Sequence, residues 1–321
     1  MASIEISGQR YETLSGETVL DCLLRHGVPA SYSCKAGACQ SCMMQASSGA
    51  LPLQAQAGLK ETQKQQGYFL ACVCVPDQNL TVKQSAQERV PVSISRLELL
   101  SPNVMRVGLK AAVRFDYQAG QFITLLHPEN AVARSYSIAS LPSEDHIELH
   151  VRRIAGGRMS SWLFERASVG QPLAIEGPKG ACFYVAGKPE QPVILAGTGT
   201  GLAPLYGIAR DALLQGHTGP VKLFHGAVTE DGLYLRNELC LLAVRFPNFE
   251  YRPVVLQGAA PDGGETGSLD SCALRQYPNL DGWRAYVCGD AQFVNTFKKK
   301  VFLAGVASRE IYSDSFVPAA P

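Results

Sequence analysis

The sequence has almost no net charge, and it lacks the long apolar runs and internal repeats of several specialised classes of protein. Its 29 basic and 28 acidic side chains leave a formal charge of +1, so no electrostatic argument favours binding to nucleic acid or to an anionic membrane. No apolar run approaches the ~20 residues that a helix needs to span a bilayer. We therefore expect no nucleic-acid partner and no association with a membrane.

The N-terminal stretch MASIEISGQRYETLSGE also lacks the basic and then apolar pattern of a signal peptide, which predicts a cytoplasmic protein. Because thiols stay reduced in that compartment, the 10 cysteines are expected to be ligands or buried apolar side chains rather than disulfides. A length of 321 residues suggests two or three domains, at roughly 150 residues for each domain.

The apolar pattern changes character twice along the chain and predicts a multidomain α+β protein. Residues 1–86 begin with two short strands around Gly8 and continue with a helix in ETVLDCLLRHG. A polar linker is predicted at KQSAQERVP, and residues 90–187 then carry many short strands, which indicates a small antiparallel β-barrel. Residues 188–321 alternate strands with helices, which indicates an α/β domain built on a parallel sheet.

Three cysteines lie close together in the segment SYSCKAGACQSC, and a fourth follows within a predicted strand. The spacing C-x4-C-x2-C with a later cysteine is that of a plant-type 2Fe-2S cluster, which needs four thiolates. Small residues between the cysteines let backbone N–H groups approach the cluster sulfurs. A zinc site would show two C-x2-C pairs, and a disulfide cluster conflicts with the expected compartment. The predicted metal ligands are Cys34, Cys39, Cys42 and Cys72.

CKAGACQSC and the strand LACVCVP resemble a plant-type ferredoxin domain, which implies a β-grasp-like fold for the first segment. Chemistry alone leaves Cys72 and Cys74 open as the fourth ligand, since both have the same strand parity. The resemblance favours Cys72 and leaves Cys74 as a buried neighbour. The cysteines without a partner at ligand spacing are predicted to be structural, namely Cys22, Cys182, Cys240 and Cys272.

Two segments of the barrel carry a second resemblance, the R-x-Y-S pattern in ARSYSIAS and the later stretch HVRRIAGGRMSSWLFE. R-x-Y-S alone is a weak pattern, and Ser160, near which a helix is predicted to begin, would by itself be only an N-cap. With Gly156 and Gly157 before it, the same helix N-terminus suits a pyrophosphate. Together with YQAGQFITL and IEGPKGACFY, these segments resemble the flavin-binding barrel of the ferredoxin–NADP reductase family.

This resemblance implies FAD rather than FMN, because it includes a pyrophosphate site. Arg134 would pair with a flavin phosphate, Tyr136 would stack on the isoalloxazine ring, and Ser137 would hydrogen-bond near its reactive nitrogen. Phe316, in YSDSFVPAAP, is the candidate for a second aromatic side chain against the flavin, with capping of the sheet as the alternative. The remaining implied FAD contacts come from one strand and the helix that follows it: His150, Val151, Arg152, Gly157, Met159 and Ser160.

The glycine-rich turn LAGTGTGLAP stands between a predicted strand and a predicted helix, a context suited to binding phosphate. It departs from G-x-G-x-x-G at Leu202 and resembles the G-T-G-T-G-x-A-P turn of the reductase family. YVCGD places Cys288 at a strand end, where open α/β sheets bind ligands, and resembles the family motif beside the nicotinamide. Ser137 and Cys288 are the predicted catalytic positions, with a merely buried Cys288 as the alternative. The predicted NAD contacts are Gly197, Thr198, Gly199, Thr200, Gly201, Glu230, Cys288, Gly289 and Asp290.

The residues after the second strand of this segment, HGAVTEDGLYL, bear on the choice between NADH and NADPH. Ala227 stands where relatives that use NADPH often have arginine. Glu230 and Asp231 would repel a 2′-phosphate and suit ribose hydroxyls, whereas Arg236 would attract the phosphate. On balance the sequence predicts NADH.

A hydride donor delivers two electrons and a 2Fe-2S cluster carries one. FAD between them would accept the pair of electrons and pass them on one at a time. The predicted electron path runs from NADH to FAD, then to the cluster and to an external acceptor. The domain order resembles the reductase components of bacterial multicomponent oxygenases, which implies a terminal oxygenase or a separate ferredoxin as acceptor. The alternatives are a reductase for a deoxysugar dehydratase and a non-catalytic redox sensor or adaptor. A monomer is the expected oligomeric state.

Overall fold

Two units divide the chain, Met1–Ala86 and Gln87–Pro321. The structure is a computed structural model that describes residues 2–28, 30, 35, 37, 42–83, 89–129, 132–260 and 262–316. Among these residues, none of the helices combines the length and the apolar character that a membrane crossing requires.

The first unit is a five-stranded mixed sheet with two short helices. Its strands are β1 (Ser3–Ile6), β2 (Gln9–Glu12), β3 (Met43–Ser48), β4 (Tyr68–Leu70) and β5 (Leu80–Val82), and its helices are α1 (Val19–Arg25) and α2 (Glu61–Gln65). The sheet order is β2-β1-β5-β3-β4, with β1 and β5 parallel and the other pairs antiparallel. The predicted hairpin around Gly8 is confirmed, and Gly8 has a φ of 75° that suits glycine.

Helix α1 shows why part of the LACVCVP prediction is wrong. That stretch was expected to be a strand, but β4 ends at Leu70 and a turn covers 71–73. The carbonyls there serve the start of α1 instead of another strand: Leu20 N–H donates to Ala71 at 3.0 Å, and Val19 N–H donates to Cys74 at 2.8 Å. Cys72 therefore lies in a turn, and strand parity no longer relates it to Cys74.

The second unit begins with a six-stranded antiparallel sheet, as predicted for a barrel. Its strands are β6 (Arg89–Ser101), β7 (Val104–Ala111), β8 (Phe122–Leu126), β9 (Ala133–Ser137), β10 (Ile147–Arg152) and β11 (Pro172–Lys179), with helix α3 (Arg158–Glu165). The sheet order is β10-β7-β6-β11-β8-β9, and a bridge between Ile138 and Leu149 joins its two ends. Two boundaries differ from the predictions. Strand β6 begins inside the expected linker, and Gly157 rather than Ser160 is the N-cap of α3.

The rest of the second unit, which we call the parallel lobe, is a six-stranded parallel sheet between helices. Its strands are β12 (Val193–Thr198), β13 (Val221–Ala227), β14 (Phe249–Val255), β15 (Glu265–Thr266), β16 (Arg284–Asp290) and β17 (Ile311–Phe316). Its helices are α4 (Leu202–Leu214), α5 (Arg236–Arg245), α6 (Leu269–Gln276) and α7 (Ala291–Leu303). The sheet order is β15-β14-β13-β12-β16-β17. The chain therefore adds β13 to β15 on one side of β12 and then β16 and β17 on the other side. This change of side creates a crevice at the carboxyl ends of β12 and β16. The predicted parallel sheet is confirmed.

Alternating residues of β12 supply the cores on both faces of the parallel sheet. Leu195 packs in the cluster that includes residues of α4 and α5, whereas Ile194 and Ala196 pack in the cluster that includes residues of α6 and α7. Burial on both faces explains why PVILAG is apolar without alternation. A sheet covered on both sides leaves only its strand ends open to a ligand.

One buried ion pair fastens the other end of this sheet. At the start of β16, the Arg284 Nε lies 2.8 Å from the Glu310 Oε2, and the Arg284 Nη1 donates to the Val185 carbonyl at 2.7 Å. The side chains are only 4% and 10% exposed. Removing Arg284 leaves the buried Glu310 carboxylate with the half-exposed Lys188, at 2.7 Å, as its remaining cationic partner among the described residues, which is strongly destabilising.

We expect Arg284→Met to lower the free energy of unfolding of the second unit by about 3–5 kcal/mol. Urea unfolding followed by the fluorescence of the neighbouring Trp283 measures this loss. The control is Arg114→Met, which breaks a pair with Asp116 whose side chains are 86% and 76% exposed, and it should cost under about 1 kcal/mol. Equal losses in the two variants would contradict the prediction.

Candidate functional site

The two described members of the predicted cluster site lie side by side in the first unit. Cys42 immediately precedes β3, and its carbonyl accepts a hydrogen bond from Ala71 N–H at 3.1 Å, one residue before Cys72. Both cysteines belong to the core of this unit, at 3% and 7% exposure. Cys34 and Cys39 lie outside the described residues. Within those residues no group of three or more potential metal ligands is assembled.

Gly37 links the cysteine loop to the turn that carries Cys72. It has a φ of 74°, and a Cβ placed on it would lie 3.5 Å from the Val73 side chain. The middle of the loop therefore lies against the residue that follows Cys72. The neighbouring thiols of Cys42 and Cys72 fit a 2Fe-2S cluster as two of the four thiolates that it needs.

Cys74 has a different environment from Cys72. It is fully buried, and this burial, with the nearby charge of Asp77, raises the pKa of the Cys74 thiol to about 12. Only a thiolate binds iron, so burial of this kind favours a protonated, structural thiol. The geometry supports Cys72 as the fourth ligand.

A large cleft lies in the second unit, between the barrel and the carboxyl ends of the parallel strands. Its volume is about 1660 Å³, more than the roughly 300–1,000 Å³ of a pocket for one drug-sized ligand. One wall is formed by β9, β10 and the start of α3, and the other by the ends of the strands of the parallel lobe. The predicted site residues that line it are Arg134, Tyr136, Ser137, His150, Arg152, Gly157, Met159, Ser160, Thr198, Gly199, Thr200, Asp290 and Phe316.

The barrel wall of the cleft has an excess of positive charge. Arg134, Arg152 and Arg158 line it, and none of the three has a carboxylate partner among the described residues. Arg134 uses one guanidinium nitrogen to donate to the Ala133 carbonyl at 2.9 Å. Three cations on one wall without carboxylate partners fit an anionic ligand, and FAD carries its charge on the pyrophosphate.

The N-terminus of α3 adds backbone donors to the same wall. Gly157 caps the helix without a side-chain hydrogen bond, so the first N–H groups of the helix remain open to a ligand. A Cβ at Gly157 would come within 2.6 Å of the Ser160 Oγ and 2.9 Å of Ile154, so only glycine fits there. Ser160 Oγ accepts from Ile154 N–H at 3.1 Å and so holds the loop before the helix. Of the predicted FAD contacts, Val151 and Met159 both belong to the barrel core, and of these two only Met159 also lines the cleft.

Asp314, which no sequence pattern indicated, lines the cleft and lies opposite the R-x-Y-S strand. The Ser137 hydroxyl donates to the Asp314 Oδ2 at 3.3 Å, although 177 residues separate the two. Burial raises the pKa of the Asp314 carboxyl, while the hydrogen bond from Ser137 partly opposes that shift. Asp314 is on β17 next to Cys288 on β16 and two residues before Phe316, in a strand whose pattern gave no sign of a site.

The structure does not place the Cys288 thiol on the lining of the cleft. Cys288 is fully buried, and its Sγ lies 3.7 Å from the Sγ of Cys182, within the core of the parallel lobe. Burial raises the pKa of the Cys288 thiol well above its usual value. Its strand-end position was predicted correctly, but the side chain adopts the buried alternative.

The glycines of the GTGTG turn serve two different purposes. A Cβ at Gly201 would come within 2.3 Å of the Cys288 carbonyl oxygen, and one at Gly197 within 2.7 Å of Leu205. Gly289 is equally restricted, since its Cβ would lie 2.5 Å from the Thr198 Oγ1. These three glycines allow close packing and do not line the cleft. Gly199, with a φ of 54°, has open space beside it and lines the cleft.

The acidic residues after β13 divide between the cleft and the outer surface. Glu230 was a predicted ligand contact, but its carboxylate pairs with the Arg236 guanidinium at 2.6 Å, and neither residue lines the cleft. Asp231 does line it, and the Thr229 hydroxyl hydrogen-bonds to its carboxylate. The negative charge that faces a ligand is therefore that of Asp231 rather than Glu230.

The comparisons with known proteins cover the same three segments. Residues 4–77 match the 2Fe-2S iron-sulfur cluster binding domain, residues 91–184 the oxidoreductase FAD-binding domain and residues 195–299 the oxidoreductase NAD-binding domain. These matches agree with a cluster site in the first unit and a cleft for two dinucleotides in the second.

Several relatives match the chain over nearly their whole length. The chain is 33% identical over 316 residues to the ferredoxin–NAD(P)(+) reductase component of naphthalene 1,2-dioxygenase/salicylate 5-hydroxylase systems of Ralstonia sp., which covers 95% of both chains. It is 30% identical to the reductase subunit of an aromatic O-demethylase of Amycolatopsis sp., over 99% of both chains. The crystal structure of an Amycolatopsis cytochrome P450 reductase covers all of both chains with a TM-score of 0.71 and 28% identity.

We expect Arg134→Ala to weaken FAD binding at least about tenfold, because a charge-assisted hydrogen bond to a phosphate contributes ~1.5–3 kcal/mol. Titration of FAD-free protein with FAD, followed by flavin fluorescence, measures the affinity. Arg153→Ala is the matched control, since Arg153 pairs with Glu165 at 2.6 Å and does not line the cleft. A loss of affinity of the same size in the control would show that Arg134 has no special role.

Proposed function

Because the chain belongs to the family of ferredoxin–NAD(P)+ reductase components of oxygenase systems, we propose that it takes its electrons from NADH and delivers them singly to an oxygenase component or to a separate ferredoxin. The enzyme is an oxidoreductase that transfers electrons from a nicotinamide through FAD to a 2Fe-2S centre. When bound, FAD accepts a hydride and releases its electrons one at a time. The choice of coenzyme, the acceptor and the residue roles are our proposals.

The single observation that carries the assignment is that one cleft joins two sets of residues. Arg134, Arg152 and the N-terminus of α3 line its barrel wall and are suited to bind the FAD phosphates. Gly199 and Asp231 line its opposite wall and are suited to bind the second dinucleotide. Two dinucleotides in one cleft place both reacting groups in the same enclosure, which is the condition for direct hydride transfer.

Ser137 and Asp314 are the proposed polar groups at the reacting end of the cleft. Ser137 donates to Asp314 at 3.3 Å, and both residues line the cleft. Because burial raises the pKa of Asp314, its carboxyl group can take up a proton more readily than an exposed aspartate. We assign Ser137 the role of orienting the flavin edge and Asp314 that of holding a proton beside it. Tyr136 and Phe316 are the proposed aromatic contacts of the flavin ring.

The order of the carriers is tested by removing one cluster ligand. We expect Cys72→Ser to lose the visible absorption of the 2Fe-2S cluster and most NADH-dependent reduction of cytochrome c, while NADH still bleaches the flavin. Cys74→Ala should keep all three properties, because the buried Cys74 is not a ligand in this scheme.

Full cytochrome c activity in Cys72→Ser would overturn the proposed electron path. A wild-type protein without flavin absorption, or whose flavin NADH does not bleach, would contradict the function itself. If Cys74→Ala lost the cluster instead, Cys74 would be the ligand and Cys72 the core residue.

Charge around the β13 turn supports NADH over NADPH. The Asp231 carboxylate faces the cleft, and the nearest cation on that turn, Arg236, is engaged by Glu230 at 2.6 Å. A 2′-phosphate placed near Asp231 would meet like charge without a free guanidinium to balance it. A ribose with two hydroxyl groups would instead donate a hydrogen bond to the carboxylate.

We expect Asp231→Asn to raise the ratio of kcat/KM for NADPH to kcat/KM for NADH about tenfold, because removing a like charge at close range is worth about 1.4 kcal/mol. Steady-state reduction of ferricyanide with each coenzyme gives the ratio. Asp281→Asn is the control, as an exposed aspartate just before β16 that does not line the cleft. An unchanged ratio in Asp231→Asn would show that Asp231 does not determine the choice between NADH and NADPH.

A further inference from the structure

A chain of buried polar side chains connects the barrel with the parallel lobe at the wall of the cleft. On the barrel, the Arg106 guanidinium lies 3.2 Å from Glu148, and the Glu148 Oε1 lies 2.8 Å from the His150 Nε2. Across the boundary, the His150 Nδ1 lies 3.2 Å from the Tyr234 hydroxyl. A second crossing runs from Arg106 to Glu238, in helix α5, at 3.6 Å. The proposed cofactor contacts explain none of these side chains except His150.

The charges along this chain assign a direction to each hydrogen bond. Burial alone would raise the pKa of Glu148, but the hydrogen bond from His150 and the charge of Arg106 lower it to about 2, so its carboxylate only accepts. Burial lowers the pKa of His150, although the hydrogen bond to Glu148 opposes that shift. A neutral His150 that donates from Nε2 to this carboxylate carries no hydrogen on Nδ1. His150 Nδ1 is then an acceptor, and Tyr234 must be the donor across the boundary. Burial also raises the pKa of Tyr234, which keeps its hydroxyl protonated.

Tyr234 stands between two histidines that lead to opposite walls of the cleft. Its ring makes edge contacts with His150 and with His225, at centroid distances of 5.2 and 5.3 Å. His150 lines the barrel wall of the cleft. His225 is fully buried on β13, and burial lowers its pKa to about 3 although the backbone of Gly199 opposes the shift. His225 directly precedes Gly226 and Ala227, which line the other wall, so the two histidines connect Tyr234 to both sides of the cleft.

The backbone next to Tyr234 is strained. Leu235 has a φ of 57° and is 5% exposed. A bulky side chain in the left-handed region is unfavourable and persists only where the surroundings enforce it, often at functional positions. Here that conformation precedes α5 and presents Tyr234 to the barrel while Glu238 of the same helix reaches Arg106.

We propose that Tyr234 is a positioning residue for hydride transfer, whose hydroxyl holds the barrel wall and the parallel lobe in one relative placement. The proposal rests on the proposed function, in which the two walls bind the two dinucleotides. Tyr234 itself does not line the cleft, so it contacts neither ligand site directly. Its removal should therefore leave the affinity for each dinucleotide nearly unchanged and slow the step that needs both in register, since small misplacements of reacting groups strongly reduce rates.

Tyr234→Phe tests this by removing one oxygen atom. In anaerobic stopped-flow mixing with NADH, we expect the limiting rate of flavin bleaching to fall about tenfold, with the NADH concentration at half-maximal rate and the FAD content within about twofold of wild type. In FAD-free protein, hydrogen exchange should rise in 147–152 and 233–240. Glu238→Gln, which weakens the second crossing, should show a smaller change in the same direction.

Tyr184→Phe is the matched control, because the Tyr184 hydroxyl lies 3.1 Å from the His217 Nδ1, with rings at 87°, in a buried pair that does not line the cleft. It should keep the wild-type rate and the wild-type exchange in both segments. A wild-type rate in Tyr234→Phe, an equal fall in Tyr184→Phe, or loss of FAD from Tyr234→Phe would each overturn the positioning role. Wild-type flavin that NADH does not bleach would instead refute the proposed function.

Discussion

The close approach of the β12–α4 turn to the end of β16 is the constraint on which the cleft depends. At this point the strand order reverses, and the two backbones come so near that Gly201 and Gly289 have no room for a Cβ. Because this packing holds Gly199 at the mouth of the crevice, a phosphate can reach the N-terminus of α4. Gly201 and Gly289 are therefore required by the contact between two backbone segments, and Gly199 is the glycine that faces the cleft.

Local patterns in the sequence predicted most of the elements but not the contacts between them. The strand runs, the GTGTG turn and the α1 helix depend on neighbours a few residues away, and their positions were predicted. The Ser137–Asp314 pair and the Tyr234 network join distant parts of the chain, and no local periodicity encodes which side chains will meet. Asp231 lines the cleft and Glu230 does not, because adjacent side chains point in different directions in the turn after β13. The sequence alone does not specify these directions.

Cys72 and Cys74 illustrate how surroundings separate two identical side chains. Both are core residues of the first unit, but Cys74 is fully buried, and its carbonyl holds the start of α1. Cys72 lies in the turn against which Gly37 of the cysteine loop packs. As a strand, this stretch would point both side chains to the same face of the sheet. The turn at 71–73 ends that relation, because the carbonyls of Ala71 and Cys74 accept hydrogen bonds from the start of α1 instead of from a neighbouring strand. Backbone hydrogen bonding thus separates Cys72, the proposed ligand, from Cys74, the proposed core residue.

The pairing of the first sheet has a consequence for the order in which the first unit folds. The β3–β4 pairing joins Met43 to Leu70, whereas the parallel β1–β5 pairing joins Ile4 to Leu80. The shorter loop closes with a smaller loss of chain entropy, and contacts between distant segments form late. Cys42 and the turn with Cys72 adjoin the earlier pairing. In this order of folding, Cys42 and Cys72 would approach each other before the sheet that supports them is complete, and metal binding by these proposed ligands would favour the later closure.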